Sequence, residues 1–546
     1  MVKSYQLIAL SAAALFVAAA PQSARAQLLQ SNIAANVPHR ADIRDLGPAS
    51  RSLSVTLAVT LHYRHEAELS RLVDAQSDPS SPYFGRFLNN QQFNGYFAPS
   101  SDDYARVGRA LQRAGFRITG TYDNRTLLDV AGPASAANKY FNTEIHTVYQ
   151  LGHGLRYANA RPAITPAEIQ NDVVAISGFD NLNKAQFDYV RGRPQPVSPD
   201  NVGGPLHGPD GGFGPIALAT GFDFPVQHGF DGTGHAVANV AGTVKNSDIA
   251  SFASFFGVTR TGKIHRTIIE GSGKWNPGDP AVVEATLDVE TMGTLAPGAD
   301  IYLYILENPI DDPGEDAYNK IVSDNKVEVV NSSFGICETD DQPYAKAANH
   351  IAMQGEAKGI TFSASSGDGG SQECGSTSGQ SAPAVEPHFV SVGGTSLSVN
   401  AHAKYQSERT WGGTGGGVSA VLPIPSYQVG VPGLASTTNR NVPDIAFPAD
   451  PATGFSFYFG GSFQGPIGGT SWSSPTYCAL QVTINQKDGK RIGFANPRIY
   501  KAFANNGYTV FHDITMGSNG GFNAHTGYDN TTGIGSIKGF KFAGVE

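Results

Sequence analysis

A chain of 546 residues that is 40% apolar and 16% charged can bury a sizeable core and exceeds one ordinary domain, which excludes a disordered polypeptide and predicts two folded units. Its net charge of −9 is uneven: residues 1–200 carry 19 Lys+Arg and 16 Asp+Glu (+3), residues 201–546 carry 19 and 31 (−12). No basic stripe is present, which excludes nucleic acid as a partner, and the opposed charges suit two parts that bind each other.

In chain order, residues 1–26 read as an export signal. Lys3 supplies the charged start, Leu7 to Ala20 the apolar run, and Ala24-Arg25-Ala26 the small-x-small cleavage site. The apolar run falls short of the roughly 20 residues a membrane span requires, and no later segment reaches that length, so no membrane residence is expected. Residues 27 to about 190 alternate helical and strand-like stretches, with Ser101–Ala114 as helix and Phe116–Thr121 as strand, the pattern of an α+β unit. The stretch Gly192 to Pro215 is rich in Pro and Gly without periodicity. It reads as an exposed linker of the kind proteases nick.

Beyond the linker, the expected strands are His235–Gly242, Asp300–Leu306, Val327–Ser332, Ile360–Ser365 and Phe389–Val392. The expected helices are Ala281–Leu295, Glu315–Asp324, Tyr344–Lys358 and Ser474–Lys487. Strands alternating with helices predict an α/β unit with a mainly parallel sheet covered on both faces. Function in such sheets sits at the carboxyl ends of the strands. Export permits disulfides, and Cys337, Cys374 and Cys478 allow at most one intramolecular bridge. Cys337 and Cys374 each follow an expected strand end and are the favoured pair; Cys478, on an expected buried helix, reads as a core thiol.

Three segments carry chemistry. In Gly468-Gly469-Thr470-Ser471-Trp472-Ser473-Ser474-Pro475, glycines before a serine allow a tight turn that presents the hydroxyl at a helix start, where unpaired N–H groups favour negative charge. Pro475 suits a first helical turn. A capped structural helix is the equally weighted alternative. A serine nucleophile needs a base. His235 looks like the lead-in to a strand, and His350 and His388 read as structural. Glu284 and Asp288, four apart in AVVEATLDVETMG, project from one helical face amid Val282, Val283, Leu287 and Val289. Two acids on a buried face are costly unless they share a proton or serve chemistry. Asp368 lies in SASSGDGG after an apolar strand; such an Asp usually forms a turn, but if kept protonated it can donate a hydrogen bond to an oxyanion.

Together these segments resemble the sedolisin (serine-carboxyl peptidase) family, which is similar to subtilisin in fold but uses glutamate in place of histidine. VVNSSFG (Val329–Gly335), SVGGT (Ser391–Thr395), WGGTGGGVS (Trp411–Ser419) and VPDIA (Val442–Ala446) extend the likeness. In the N-terminal part, QSDPSSP from Gln76 and VAISGFDN from Val174 resemble the family's activation propeptide. The resemblance implies a subtilisin-like parallel sheet flanked by helices, preceded by an α+β propeptide. It divides the chain into a signal (1–26), propeptide (27–190), linker with the activation cleavage (191–215) and catalytic domain (216–546). It implies Ser471 as nucleophile, Glu284 as general base and acid, Asp288 as the residue orienting it, and Asp368 as oxyanion donor. It also implies one calcium ion held by Asp513, Ile514, His525, Gly527 and Asp529, the middle three through backbone carbonyls; calcium takes such hard oxygens. His525 stands where the family usually has glycine. Trp472 stands beside the serine where small residues are common, so its ring is expected to shape a subsite. Some relatives extend the carboxylate network with an acid near Ala241, which this chain lacks.

The implied activity is acid-side endoproteolysis of protein or peptide substrates, with an optimum of roughly pH 3 to 5. The enzyme is expected to be monomeric, to be inhibited and assisted in folding by its own propeptide, and to act outside the cell or in the periplasm. Two other readings are a catalytically dead binding homologue and a neutral subtilase. Every expected catalytic side chain is present, against the first; the Asp and HGT-type His required by the second are missing.

Overall fold

Alternation of buried and exposed positions in SVTLAVTL makes β1 (Ser54–Leu61) the centre of an N-terminal antiparallel sheet. Beside it lie β2 (Arg117–Thr121), β3 (Leu127–Pro133) and β4 (Val173–Ser177), in the order β2-β3-β1-β4. The structure is a computed structural model and describes residues 28–29, 41–193, 206–306 and 314–546. The expected export signal and linker residues 194–205 lie outside the described residues. Helices α1 (Glu66–Ser77) and α2 (Ser101–Ala114) belong to the same unit. The ends of α2 are set locally: the Ser100 hydroxyl accepts the Asp103 N–H at 3.0 Å, and Gly115 closes the helix at φ 103°. Val107 and Leu111 on its inner face pack on Leu128 and Val130 of β3.

The larger unit is built on an eight-stranded sheet whose main path runs β8-β9-β7-β10-β12-β13-β14, with β15 also beside β13. Its strands are β7 (Ala236–Ala241), β8 (Ile264–Ile268), β9 (Asp300–Ile305), β10 (Val329–Ser332), β12 (Thr361–Ser365), β13 (Val390–Val399), β14 (Tyr405–Thr410) and β15 (Ile445–Pro448). All neighbours are parallel except β13 and β14. Strands sealed on both faces lose polar alternation, and every residue of β7, β10 and β12 is buried. The small strand β11 (Phe334–Cys337) follows β10 directly.

One face is covered by α3 (Pro280–Leu295) and α6 (Thr470–Asp488), the other by α4 (Glu315–Asp324) and α5 (Gln342–Ala357). The Asp279 side chain caps Ala281 N at 2.9 Å with Pro280 in the first turn, which fixes where α3 begins. The sequence places α6 four residues too late. It starts at Thr470, so Pro475 is its sixth residue and leaves the Ser471 carbonyl without its i+4 donor. Cys337 and Cys374 form a disulfide, and Cys478 is a buried free thiol on α6.

The two units meet along α1 and α5. Tyr63 stacks on His350 with centroids 3.8 Å apart, and its hydroxyl donates to the His350 carbonyl and Gln354 Oε1, each at 3.1 Å. Lys184 bridges Asp180 at 2.9 Å and Asp341 at 2.5 Å, all three side chains no more than 10% exposed. His350, structural by its sequence context, is thus an interface residue.

Candidate active site

Helix α3 carries Glu284 and Asp288 one turn apart, both fully buried. The Ser471 Oγ at the start of α6 lies 2.9 Å from Glu284 Oε2 and 3.1 Å from the Ser333 carbonyl oxygen, so its proton has two acceptors. Behind Glu284, the Ser333 hydroxyl donates to Asp288 Oδ1 at 2.7 Å. Ser333 is fixed in turn by Asn331 Nδ2 at 2.9 Å, and Asn331 by Asn239 Oδ1 and the Ser474 hydroxyl at 2.8 and 2.7 Å. Burial, and then the charge of Asp288, holds Glu284 well above the usual carboxylate range; burial pushes Asp288 up to about 7. Glu284 Oε1 and Asp288 Oδ2 take no hydrogen bond from a fixed donor. One proton shared between the two carboxyls satisfies both.

Asp368 stands just past the end of β12. Its Oδ1 accepts from Thr470 N at 2.7 Å and Thr470 Oγ1 at 3.0 Å, while Oδ2 is buried and unpartnered. Burial, then the neighbouring Asp188 charge, holds its carboxyl well above the ordinary value. A carboxyl so placed can donate from Oδ2 when protonated. Gly469 makes this approach possible: at φ 99°, a Cβ there would sit 2.2 Å from the Asp188 carbonyl oxygen and 2.4 Å from Asp368 Oδ2.

The chain itself lies across this site. β5 (Gln186–Phe187) pairs antiparallel with β11, and β6 (Val190–Arg191) pairs antiparallel with β16 (Ile467–Gly468). Between them, the Asp188 carbonyl accepts the Ser471 backbone N–H at 2.8 Å. The Asp188 side chain accepts from the Ser365 hydroxyl at 2.5 Å. Extended chain is thus held as a strand on both sides of Ser471. Asn331 and Ser333 lie in VVNSSFG and Ser365 in SASSGDGG, but no role could be read for them there, and nothing local marks Asp188; long-range packing brings them together with Ser471. Trp472 corrects the sequence expectation: its ring is fully buried against Phe455, 5.5 Å away, and packs in the core instead of shaping a subsite.

The residues expected at a metal form a second grouping. Asp513 Oδ1 and Asp529 Oδ2 accept from Gly527 N and His525 N, both at 3.3 Å, and Ile514 is buried beside them. Among the described residues no three His, Cys, Asp or Glu side chains converge as a metal site. Two carboxylates with backbone carbonyls make a different donor set, and burial raises both acids. That environment and those oxygens fit a hard divalent ion. His525 is not among the residues of positive φ, so the side chain that replaces glycine is accommodated without strain.

Residues 41–182 match the model of the pro-kumamolisin activation domain, and residues 230–527 match that of the subtilase family. Sedolisin of Pseudomonas sp. (strain 101) is 30% identical over 511 residues, 88% of this chain and 85% of its own. Kumamolisin of Bacillus sp. (strain MN-32) is 30% identical over 535 residues, 91% and 92% of the two chains. Tripeptidyl-peptidase 1 of Homo sapiens is 27% identical over 550 residues, 90% and 91%. The solved structure of Pseudomonas sedolisin, a serine-carboxyl proteinase complexed with two molecules of pseudo-iodotyrostatin, superposes with a TM-score of 0.55 at 30% identity over 61% of this chain and 97% of that one.

Proposed function

The chain belongs to the sedolisin family of serine-carboxyl peptidases, and from that premise we propose that it is an exported, acid-acting endopeptidase that activates itself from a zymogen. The reading is carried by one observation: the Ser471 hydroxyl sits 2.9 Å from the Glu284 carboxyl, with Asp368 and the Ser471 N–H on the carbonyl side. Glu284 takes the proton of Ser471 as the hydroxyl attacks a peptide carbonyl. Asp288 shares charge with Glu284 and holds it in place. The oxyanion is met by the Ser471 N–H and the protonated Asp368, and Glu284 then protonates the leaving amine. Water repeats the cycle on the acyl-enzyme. Asp368 works protonated and Glu284 works as a base, so activity belongs on the acid side, roughly pH 3 to 5 on the ordinary carboxyl range.

Internal cleavage is supported by the run of chain through the cleft. Counting back from the Asp188 carbonyl, Gln186 is the third residue, and the chain continues through Ala185, which is buried. A tripeptidyl-peptidase would need a free amine at that third position. Asp513 and Asp529, with the carbonyls of Ile514, His525 and Gly527, would hold one calcium ion, which supplies charge compensation to the loop when bound. Among the described residues no helix is long and apolar enough to cross a membrane. Protein or peptide substrates, the chain's own N-terminal unit as inhibitor, and a monomeric state complete the reading.

The test is hydrolysis of denatured protein from pH 2 to 8 by wild type and Ser471→Ala after acid incubation. Acid-dependent activity that appears with loss of an N-terminal fragment of roughly 20 kDa and is abolished by the substitution supports it. A neutral optimum would move the base away from Glu284, and inactivity at every pH would favour a binding homologue.

A further inference from the structure

The side chain that precedes the reacting carbonyl is an acid, and it enters a pocket already lined by acids. Asp188 is 4% exposed, and its Oδ2 accepts from Ser365 Oγ at 2.5 Å. Its backbone N–H reaches the Ser333 carbonyl at 3.4 Å and its carbonyl meets Ser471 N at 2.8 Å, so the register leaves little freedom about which residue lies at the serine. The ionisable groups facing it are Glu284 from α3, and Asp368 and Glu373 from the loop after β12. The cation nearest along the segment, Arg191, is turned onto the Phe457 ring at 5.6 Å. Glu373 is itself built in: its Oε1 accepts from Gly369 N at 2.5 Å, and its carboxyl abuts Gly367. The Cys337–Cys374 bridge ties this wall to β11, the strand that grips Gln186 and Phe187.

We propose that this pocket selects an uncharged carboxyl or carboxamide side chain before the scissile bond, with Ser365 as its hydrogen-bond donor and the burial of the pocket as what rejects an ionised acid, and that Asp188–Tyr189 is the first bond cut. The proposal rests on Ser471 being the nucleophile. Ser471 Oγ bonds to the Asp188 carbonyl carbon while its proton passes to Glu284. The bond to the Tyr189 nitrogen breaks as that proton is delivered to it. Water then hydrolyses the Ser471 ester, leaving a carboxyl terminus at Asp188 and restoring the hydroxyl. Burial pushes the seated Asp188 up to about 7, whereas a free aspartate ionises near ~4. Seating therefore takes up a proton and weakens as pH rises between those values.

Full-length protein is shifted from pH 7 to pH 4 or 6, and the earliest fragments are identified by intact mass. Wild type, Asp188→Asn and Asp188→Lys are compared. Activated enzyme is then given quenched peptides that differ only in Asp, Asn, Leu or Lys before the cut. The first new N-terminus is expected at Tyr189, retained in Asp188→Asn and slowed at least tenfold in Asp188→Lys. The Asp-to-Asn ratio of kcat/KM is expected to fall tenfold or more from pH 4 to 6; taking this ratio cancels titrations of the enzyme common to both peptides. A first cut inside 191–215 with Asp188–Tyr189 intact, a pH-independent ratio, or Leu or Lys outrunning both Asp and Asn tenfold at pH 4 overturns the proposal. If those results accompany Ser471-dependent hydrolysis of denatured protein, the peptidase reading survives; if no Ser471-dependent hydrolysis occurs at any pH, both fall.

Discussion

Replacing Lys184 by Met removes the cation that bridges Asp180 of the N-terminal unit to Asp341 at the start of α5, at 2.9 and 2.5 Å. Both carboxyls are nearly buried, with side chains 5% and 10% exposed, so solvent screens them little. Breaking a buried ion pair by deleting one partner costs about 3–5 kcal/mol. At 1.4 kcal/mol per decade, that is roughly two to three and a half orders of magnitude in the equilibrium that holds residues 184–191 against the cleft. The assay is proteolytic nicking of that segment in a Ser471→Ala background, which prevents self-cleavage; when reclosing is fast, the nicking rate follows the open population. At pH 7.5, thermolysin is expected to nick the Lys184→Met chain about 100-fold faster or more. At pH 4, probed with pepsin, the difference should shrink below tenfold, because burial raises the Asp180 carboxyl and a protonated acid needs no counter-ion. A change under threefold at pH 7.5, or an undiminished effect at pH 4, would refute the reasoning.

Asp368→Asn replaces an acid that donates only when protonated by an amide that donates at any pH; activity at pH 6–7 relative to pH 4 should rise, while Asp368→Ala loses about 10²–10³ in kcat. Stability should also depend on pH. Burial pushes Glu408 up to about 7 and Glu386 up to about 8, so their contribution is complete below the unfolded value and is lost as pH rises through 7–8. His350 is depressed to about 4 by burial, and its contribution is lost as pH falls through that value. Melting of the Ser471→Ala chain from pH 3 to 9 is expected to peak between about 4.5 and 6.5; a Tm that climbs from pH 6 to 8.5 would contradict this. Chelation with EGTA should lower Tm by several degrees, the equivalent of about 2.7 kcal/mol at 100 times Kd, and Asp529→Asn should erase the difference.

Much of the larger unit was legible because its strands are short buried runs that alternate with helices. Glu315–Asp324 has the bounds its sequence predicts, and Val327–Ser332 begins only two residues early. Ile264–Ile268 was missed because IHRTI, on an edge of the sheet, mixes charge with apolar residues and has no fully buried position. Glu284 and Asp288 could be paired from helical spacing alone, since i and i+4 share a face. Their neighbours could not. Ser333, Asn331 and Asn239 reach them through parallel strand register, which no local pattern encodes. Trp472 was misjudged because its place in sequence, next to Ser471, says nothing about which side of the helix meets the core. The occupant of the cleft escaped notice for a related reason: composition marks 192–215 as exposed, while the residues that lie at Ser471 precede it and look like ordinary strand.

The stacked Tyr63 and His350, with the hydrogen bonds from Tyr63 to α5, lie apart from the serine and do not depend on the bond that crosses it. Severing the chain near Asp188 would therefore leave its new carboxyl end four residues from Lys184, which stays docked on Asp341. A short tether of that kind holds its end at an effective concentration in the millimolar range. The first turnover would thus yield a self-occupied molecule, and proteolytic competence would lag behind cleavage by the lifetime of the docked unit, a delay that dilution leaves unchanged because the event is unimolecular.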